Sequence, residues 1–240
     1  MRIAVTSPGA VPVFKAVARD AEVVEAPMVQ LVESRLDAAA VVEALRLCDA
    51  VVFASGRSAY RAAEELKAAG LYEVARGLVA QMKVATVEGE KGAVMVQNAF
   101  GVRPAVVASM VEEFQLEGCR CAVVFHYGAR DEELLARVRC RYLEFFPYRA
   151  LPTGVEMVER ALSADLVVFT SALAVQYFAE IGGPRAVEEL KLRLVVAGGP
   201  GVSRALARLG VPHITAPSGR LGPLAQYVAK LAAERGGEKG

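Results

Sequence analysis

The phrase DAVVFASGRSAY begins at Asp49, and a near-copy, DLVVFTSALAVQ, begins at Asp165. Each is an apolar run ending at Phe53 or Phe169, followed by small residues and a serine, Ser55 or Ser171, and then by a helical pattern. A strand that is apolar at every position has no solvent face, so it belongs in a parallel sheet covered by helices on both sides. The same grammar runs through the chain. Strand-like stretches at 2–7, 83–87, 121–125, 192–198 and 213–216 alternate with helical patterns at 11–19, 37–47, 55–70, 92–99, 104–114, 131–140, 155–162, 172–181, 202–209 and 221–234. The expected class is α/β, and the strands are too many for one small sheet.

Two extended segments interrupted by proline, 23–33 and 143–154, divide the chain into three parts. Proline disfavours the interior of a sheet, so these segments suit strands that leave one body and enter another. The economical arrangement makes 34–143 an inserted α/β domain and joins 1–26 to 152–240 as a second, discontinuous one. Segments 27–33 and 144–151 then run side by side as linker strands. With 240 residues, 54% of them hydrophobic, two cores of ordinary size can be filled.

Charge and cysteine usage exclude several classes. Twenty-eight Lys and Arg against 27 Asp and Glu leave a net charge of +1, with no global attraction to nucleic acid or an acidic membrane. Apolar runs fall far short of the ~20 residues a membrane helix needs, and the N-terminus lacks a signal-type pattern, so a cytoplasmic protein is expected. The four cysteines, Cys48, Cys119, Cys121 and Cys140, form no CxxC pair, and His126 and His213 stand alone, so no metal centre is expected. Cys119 and Cys121, two apart, should share a face as buried thiols. The single Asn, the absence of Trp and the many Arg, Glu and Val are a balance found in heat-adapted proteins, which also tolerate internal disulfides, so a bridge at Cys140 is the second reading.

Ser55 and Ser171 place a hydroxyl and unpaired backbone N–H groups at the carboxyl edge of a sheet. Ligands bind at that edge in open α/β folds, and helix N-termini favour anions. Each serine alone reads first as a helix cap, the commonest role of such a residue. Two such edges facing one another across a cleft would hold a ligand bearing several carboxylates or phosphates. Glycine turns at 87–92 and 197–201 supply further points of close approach, but neither matches a dinucleotide fingerprint or a P-loop.

The strand ends VVFASGRSA and VVFTSALAV, the turn AGGPGVSRALARLGV, the following PSGRLGPLAQYVAKL and the crossover FFPYRALP together resemble the uroporphyrinogen-III synthase family. The resemblance spans nearly the whole chain in the family's order. It implies two flavodoxin-like domains, each a parallel sheet with helices on both faces, joined by a two-stranded linker. It also implies a monomer that takes hydroxymethylbilane, removes water, inverts ring D through a spiro intermediate and closes uroporphyrinogen III without a cofactor. Tyr148 occupies the place of the family's linker tyrosine and is the expected acid; packing on the linker with a wet hydroxyl is its other reading. Ser55, Gly56, Arg57, Thr170 and Ser171 are the expected carboxylate contacts, joined by Lys91, Arg130, Gly199, Gly201 and Ser203. Arg130 also reads as a helix-start residue in a charged face, Lys91 as a surface lysine, and His126 as an acid or a structural residue. The chain departs from the family at Thr6-Ser7-Pro8, where an arginine is usual. It departs again at Gly199-Pro200-Gly201-Val202, where two threonines are usual and Ser203 is the candidate substitute. The rival function is a non-catalytic two-domain small-molecule binding protein or a degenerate paralogue; a nucleotide-using enzyme ranks last.

Overall fold

The structure, a computed structural model, describes residues 1–237. It opens with β1 (Arg2–Val5), α1 (Val11–Val17) and β2 (Glu22–Glu25), and β3 (Val29–Glu33) then leads into a compact unit formed by residues 31–150. That unit continues through α2 (Ala38–Leu47), β4 (Ala50–Phe53), α3 (Gly56–Ala68), α4 (Tyr72–Val79), β5 (Lys83–Thr86), α5 (Gly89–Phe100), β6 (Val106–Val107), β7 (Cys121–Phe125), α6 (Glu132–Leu135) and β8 (Arg141–Phe145). The chain returns along β9 (Tyr148–Pro152), which pairs with β3 in a two-stranded ribbon. The unit begun by residues 1–30 is completed by α7 (Val155–Leu162), β10 (Leu166–Phe169), α8 (Ala172–Leu190), β11 (Leu194–Ala197), α9 (Pro200–Arg208), β12 (Ile214–Thr215) and α10 (Leu221–Gly237).

Each unit is built on one five-stranded sheet in which every neighbouring pair is parallel, in the orders β6-β5-β4-β7-β8 and β12-β11-β10-β1-β2. The repeated phrase forms the central strand of both, β4 and β10, and every residue of the two strands is buried. Successive side chains serve opposite cores. Val51 and Phe53 join α2, α3 and α5 on one face, while Ala50 and Val52 meet Phe114, Leu116 and Leu134 on the other. In the second sheet Val167 and Phe169 pack with Phe178, and Leu166 and Val168 with Phe14, Leu224 and Val228. Phe53 stacks on Phe100 and Phe125 at 5.2 and 5.1 Å; burying one such ring contributes about 1.5–3 kcal/mol. The aspartate opening each phrase is also structural. Asp49 accepts the N–H groups of Arg120 and Cys121, and Asp165 accepts that of Arg2 at 2.7 Å, so each pins the start of the adjacent strand.

Several expectations are corrected. Residues 104–114 are not a helix: Ala105 and Ala108 donate to Val84 and Thr86, which makes β6, and a single 3₁₀ turn at Val111–Glu113 then delivers Phe114 and Leu116 to the core. Within 131–140 only α6 is helical, because Leu116 exchanges backbone hydrogen bonds with Arg137 and Arg139 and draws that stretch away from helix. The helix expected at 172–181 does end there, at a kink where Gly183 adopts φ +67° before Pro184; what was not expected is the second helical stretch that carries α8 on to Leu190. Helix α4 was not expected; it buries Ala75 and Val79, and Tyr72 donates to the Ala99 carbonyl at 2.7 Å. Of segment 23–33, the first residues stay in the sheet as edge strand β2.

The cysteines are not buried thiols. Cys48 is bonded to Cys121 and Cys119 to Cys140, with Cα separations of 4.5 and 5.8 Å. Cys119 and Cys121 do not share a face either: β7 begins only at Cys121 and the chain bends at Arg120, so strand alternation does not reach Cys119. Cys121 lies in the core beside α2, and Cys119 packs against the opposite one. Among the described residues no helix is long and apolar enough to cross a membrane.

Candidate functional site

The carboxyl edge of the 31–150 sheet is shaped by strand register. Phe53 is level with Thr86 on one side and with Phe125 on the other, so Ser55, Glu88 and Tyr127 each stand two residues beyond that level. Ser55 caps α3. Its hydroxyl accepts the Ser58 N–H at 3.1 Å, while the Ser58 hydroxyl receives the Ser55 N–H at 3.2 Å and donates to the Ser55 carbonyl at 2.7 Å. This reciprocal box leaves Ser55 5% exposed, with its hydroxyl committed to the helix. The Gly56 N–H donates to the Glu88 carboxylate at 2.7 Å, an anion on the positive end of the helix. Glycine is required there, since a Cβ on Gly56 would collide with Met95 and push α3 off α5. Lys91 is largely exposed and sits 3.8 Å from the other Glu88 oxygen.

Arg57, in the first turn of α3, donates to the Tyr127 hydroxyl at 3.1 Å, and the Tyr127 ring meets that of Tyr148 edge-on at 5.5 Å. The bond to Tyr127, followed by the charges of Glu88 and Tyr148, raises the pKa of Arg57. Burial pushes the Tyr148 phenol up, Glu33, Tyr127 and Glu64 add to the rise, and Arg61 opposes it. Arg61 itself meets Glu33, Glu64 and Glu65. Tyr148 therefore stays protonated at neutral pH, a phenol able to donate its proton. One edge thus gathers Tyr148, Ser55, Gly56, Arg57 and Lys91. It adds Tyr127 and Glu88, which motif reading missed and which strand register alone would have indicated.

Arg130 is engaged elsewhere. Its Nε donates to the two Glu144 oxygens at 3.2 and 2.9 Å, and Nη1 meets Glu132, so its charge is answered locally and its pKa is raised, chiefly by Glu144. His126 is fully buried, stacked on Phe146 at 4.7 Å, with Nε2 2.9 Å from Glu144 and Nδ1 accepting the Asp131 N–H at 3.4 Å. That acceptor role at Nδ1 places the proton on Nε2. Burial, outweighing Glu144, lowers the pKa of His126 and keeps it neutral. Its bonds are those of a structural histidine. A shallow cavity of about 410 Å³ nearby is lined by Glu144, Phe146, Arg149 and Arg35, and by none of the expected site residues.

The edge of the other sheet differs. Phe169 is level with Ala197, so Ser171 and Gly199 stand two residues beyond it. Ser171 caps α8 by accepting the Ala174 N–H at 3.2 Å, with Thr170 half-buried before it. Among the described residues no carboxylate meets the first N–H groups of α8. Gly199 precedes α9, Pro200 and Gly201 form its first turn, and the Gly199 carbonyl accepts the Ser203 N–H at 3.0 Å. The Ser203 hydroxyl, the candidate substitute for the turn hydroxyls, is bonded within this unit. Its Oγ lies 2.8 Å from His213 Nε2 and accepts from Thr215 at 3.0 Å, while His213 Nδ1 faces the Val211 carbonyl at 2.8 Å. Nδ1 therefore carries the proton, Nε2 accepts from Ser203, and the serine points toward β12. Thr6, in the segment where the family arginine is absent, is fully buried with its hydroxyl on the Val168 carbonyl.

Known proteins share this architecture. The family model described as Uroporphyrinogen-III synthase HemD matches residues 13–226. No curated protein sequence matches the chain. A mutant uroporphyrinogen III synthase from the extremely thermophilic bacterium Thermus thermophilus aligns over 100% of both chains at 24% identity with a TM-score of 0.69. Another structure, titled Thermus thermophilus uroporphyrinogen III synthase, aligns over 96% of this chain and 99% of that one at 25% identity, TM-score 0.53. Uroporphyrinogen-III synthetase from Helicobacter pylori aligns over 96% and 100%, at 16% identity and TM-score 0.63. The two-sheet α/β architecture of these proteins is that of the present chain.

Proposed function

The chain belongs to the uroporphyrinogen-III synthase family, and from that premise we propose that it cyclises hydroxymethylbilane to uroporphyrinogen III in tetrapyrrole biosynthesis. In this scheme the pyrrole nitrogen lone pair expels the terminal hydroxyl. Tyr148 gives that hydroxyl its proton, so that water leaves and a phenolate remains. Ring D then closes in the inverted sense through a spiro intermediate. The proton released when the pyrrole regains aromaticity returns to Tyr148, so the cycle balances without a cofactor. A positioned acid is worth roughly 10²–10⁴-fold, and holding the flexible bilane in a folded conformation supplies the rest.

The substrate is rich in acetate and propionate carboxylates. Arg57 and Lys91 in one unit, and Thr170, Ser171 and the turn at Gly199 and Gly201 in the other, are the groups we assign to them. Helix N-termini suit such anions. Ser55 and Ser203, both held by internal bonds, shape their edges, and Arg130 is balanced by Glu144 and Glu132. On this reading the protein is a monomeric hydro-lyase of the cytoplasm.

The observation that carries the proposal is the family match across residues 13–226; it does not favour the binding-protein alternative. The test is incubation of purified protein with freshly generated hydroxymethylbilane, followed by oxidation and separation of the uroporphyrin isomers. Isomer III in excess is expected. Isomer I alone, the product of spontaneous closure, from protein shown to be folded, overturns the proposal.

A further inference from the structure

We propose that Tyr127 is a positioning residue, holding the Arg57 guanidinium beside the Tyr148 phenol so that a fixed positive charge faces the phenolate left by proton transfer. The inference rests on the synthase reading and gives Arg57 a part in proton transfer besides any contact with substrate.

Both ends of the Arg57–Tyr127 bond are anchored. Arg57 follows Ser55 and Gly56, which are fixed by the Ser58 box and by Glu88. Tyr127 follows His126, whose ring is clamped by Phe146 and Glu144 and whose N–H donates to the Phe145 carbonyl at 2.9 Å. Between these anchors the Arg57 Nη1 to Tyr127 hydroxyl distance is 3.1 Å, and the Tyr127 ring lies edge-on to Tyr148 at 5.5 Å with an interplanar angle of 74°.

The surroundings of Tyr148 explain why a held cation matters. Glu33 on β3 and Glu64 on α3 both oppose a phenolate, and Tyr127 would oppose it if ionised. Arg61 on α3 favours it, but is shared among Glu33, Glu64 and Glu65. Arg57 brings a second positive charge to this edge, tied at 3.1 Å to the hydroxyl of the tyrosine whose ring meets Tyr148 edge-on. In the proposed step the Tyr148 O–H bond breaks and its proton joins the departing hydroxyl. The C–O bond breaks as the pyrrole nitrogen supplies electrons, and the negative charge left on Tyr148 is countered by Arg57 until reprotonation.

The test separates this inference from the synthase reading. Protein labelled with carbon-13 at the tyrosine Cζ, with Tyr148 assigned through a Tyr148→Phe variant, is titrated as wild type, Arg57→Gln and Arg57→Lys. Tyr148 should titrate about half a pH unit or more higher in Arg57→Gln, as loss of a nearby opposite charge demands, and nearer the wild type in Arg57→Lys. An unchanged Tyr148 titration in Arg57→Gln overturns the inference whether or not the chain makes isomer III. Where isomer III forms, Tyr127→Phe should lower kcat about tenfold at constant KM, an order below the full worth of an acid. The same change should cost nothing further once Tyr148 is already Phe. A rise in KM alone, or an equal kcat loss in the Tyr148→Phe background, overturns the role of Tyr127. Absence of isomer III from the wild type removes the synthase reading and leaves the titration to decide the electrostatic coupling.

Discussion

At the first copy of the repeated phrase, Asp49 receives N–H groups from the start of β7 and Ser55 caps α3; at the second, Asp165 receives one from the start of β1 and Ser171 caps α8. Beyond these shared points the two edges part. Flanking Ser55 two residues past strand level stand Glu88 and Tyr127, a carboxylate and a phenol, whereas the corresponding neighbour of Ser171 on β11 is Gly199. The first edge fills its own helix N-terminus with Glu88 and surrounds a tyrosine with charge. The second leaves small residues and backbone donors. What the repetition preserves within the chain is the grammar of a buried strand passing into a capped helix; the chemistry belongs to the residues that strand register brings alongside.

The same contrast extends to stability, and its largest expected consequence lies in the disulfides. Both bridges are in the 31–150 unit, closing sequence separations of 73 and 21 residues. Restricting loops of that size in the unfolded chain is worth about 4.4 and about 3.3 kcal/mol respectively. Reduction of the protein should therefore weaken hydrogen-exchange protection in β4 and β7 and spare β1 and β10. Equal loss in both sheets would break the comparison.

A smaller effect is expected from the glycines. Gly56→Ala places a Cβ against Met95 and should cost about 1–3 kcal/mol, as overpacking does. At Gly199 a Cβ would meet nothing within 4 Å, so Gly199→Ala should leave the denaturant midpoint almost unmoved. Denaturant titration of the two variants sharpens the contrast between a packed edge and an open one.

The smallest effect is one of pH. Burial depresses the pKa of His126 in the folded protein below its unfolded value near 6.5, so the unfolded state binds more protons between those two values. That contribution to stability is present above about pH 6.5 and is lost as pH falls toward the folded pKa. Exchange protection of β7 and β8 should fall on acidification, and His126→Gln should flatten that slope. A slope unchanged in the variant would mean that other groups cause it.

Much of the fold was legible because a strand buried on both faces must be apolar throughout, and AVVF and LVVF display that without ambiguity. The failures have a common cause. Residues 104–114 and 131–140 carry spacings that suit a helix, yet backbone partners distant in sequence, Val84 and Thr86 for the first and Leu116 for the second, claim their hydrogen bonds. No local window contains that competition. Cysteine pairing likewise depends on Cα separations set by the sheet rather than on spacing in the chain. At the candidate site Ser55, Ser171, Arg57 and Tyr148 were visible as strand-end or linker residues. Glu88 and Tyr127 become visible only once Phe53 is known to lie level with Thr86 and Phe125. Ser203 looked like a spare hydroxyl because its partner His213 follows ten residues later, across a turn.

The central proposal is that Tyr148 supplies the acid, whereas Ser171 contributes to substrate binding alone. Steady-state formation of isomer III by Tyr148→Phe and Ser171→Ala tests it most directly. Tyr148→Phe should lower kcat by about 100-fold or more, the ordinary worth of a positioned acid, with KM little changed. Ser171→Ala should instead raise KM and preserve kcat. Wild-type kcat in Tyr148→Phe would contradict the account.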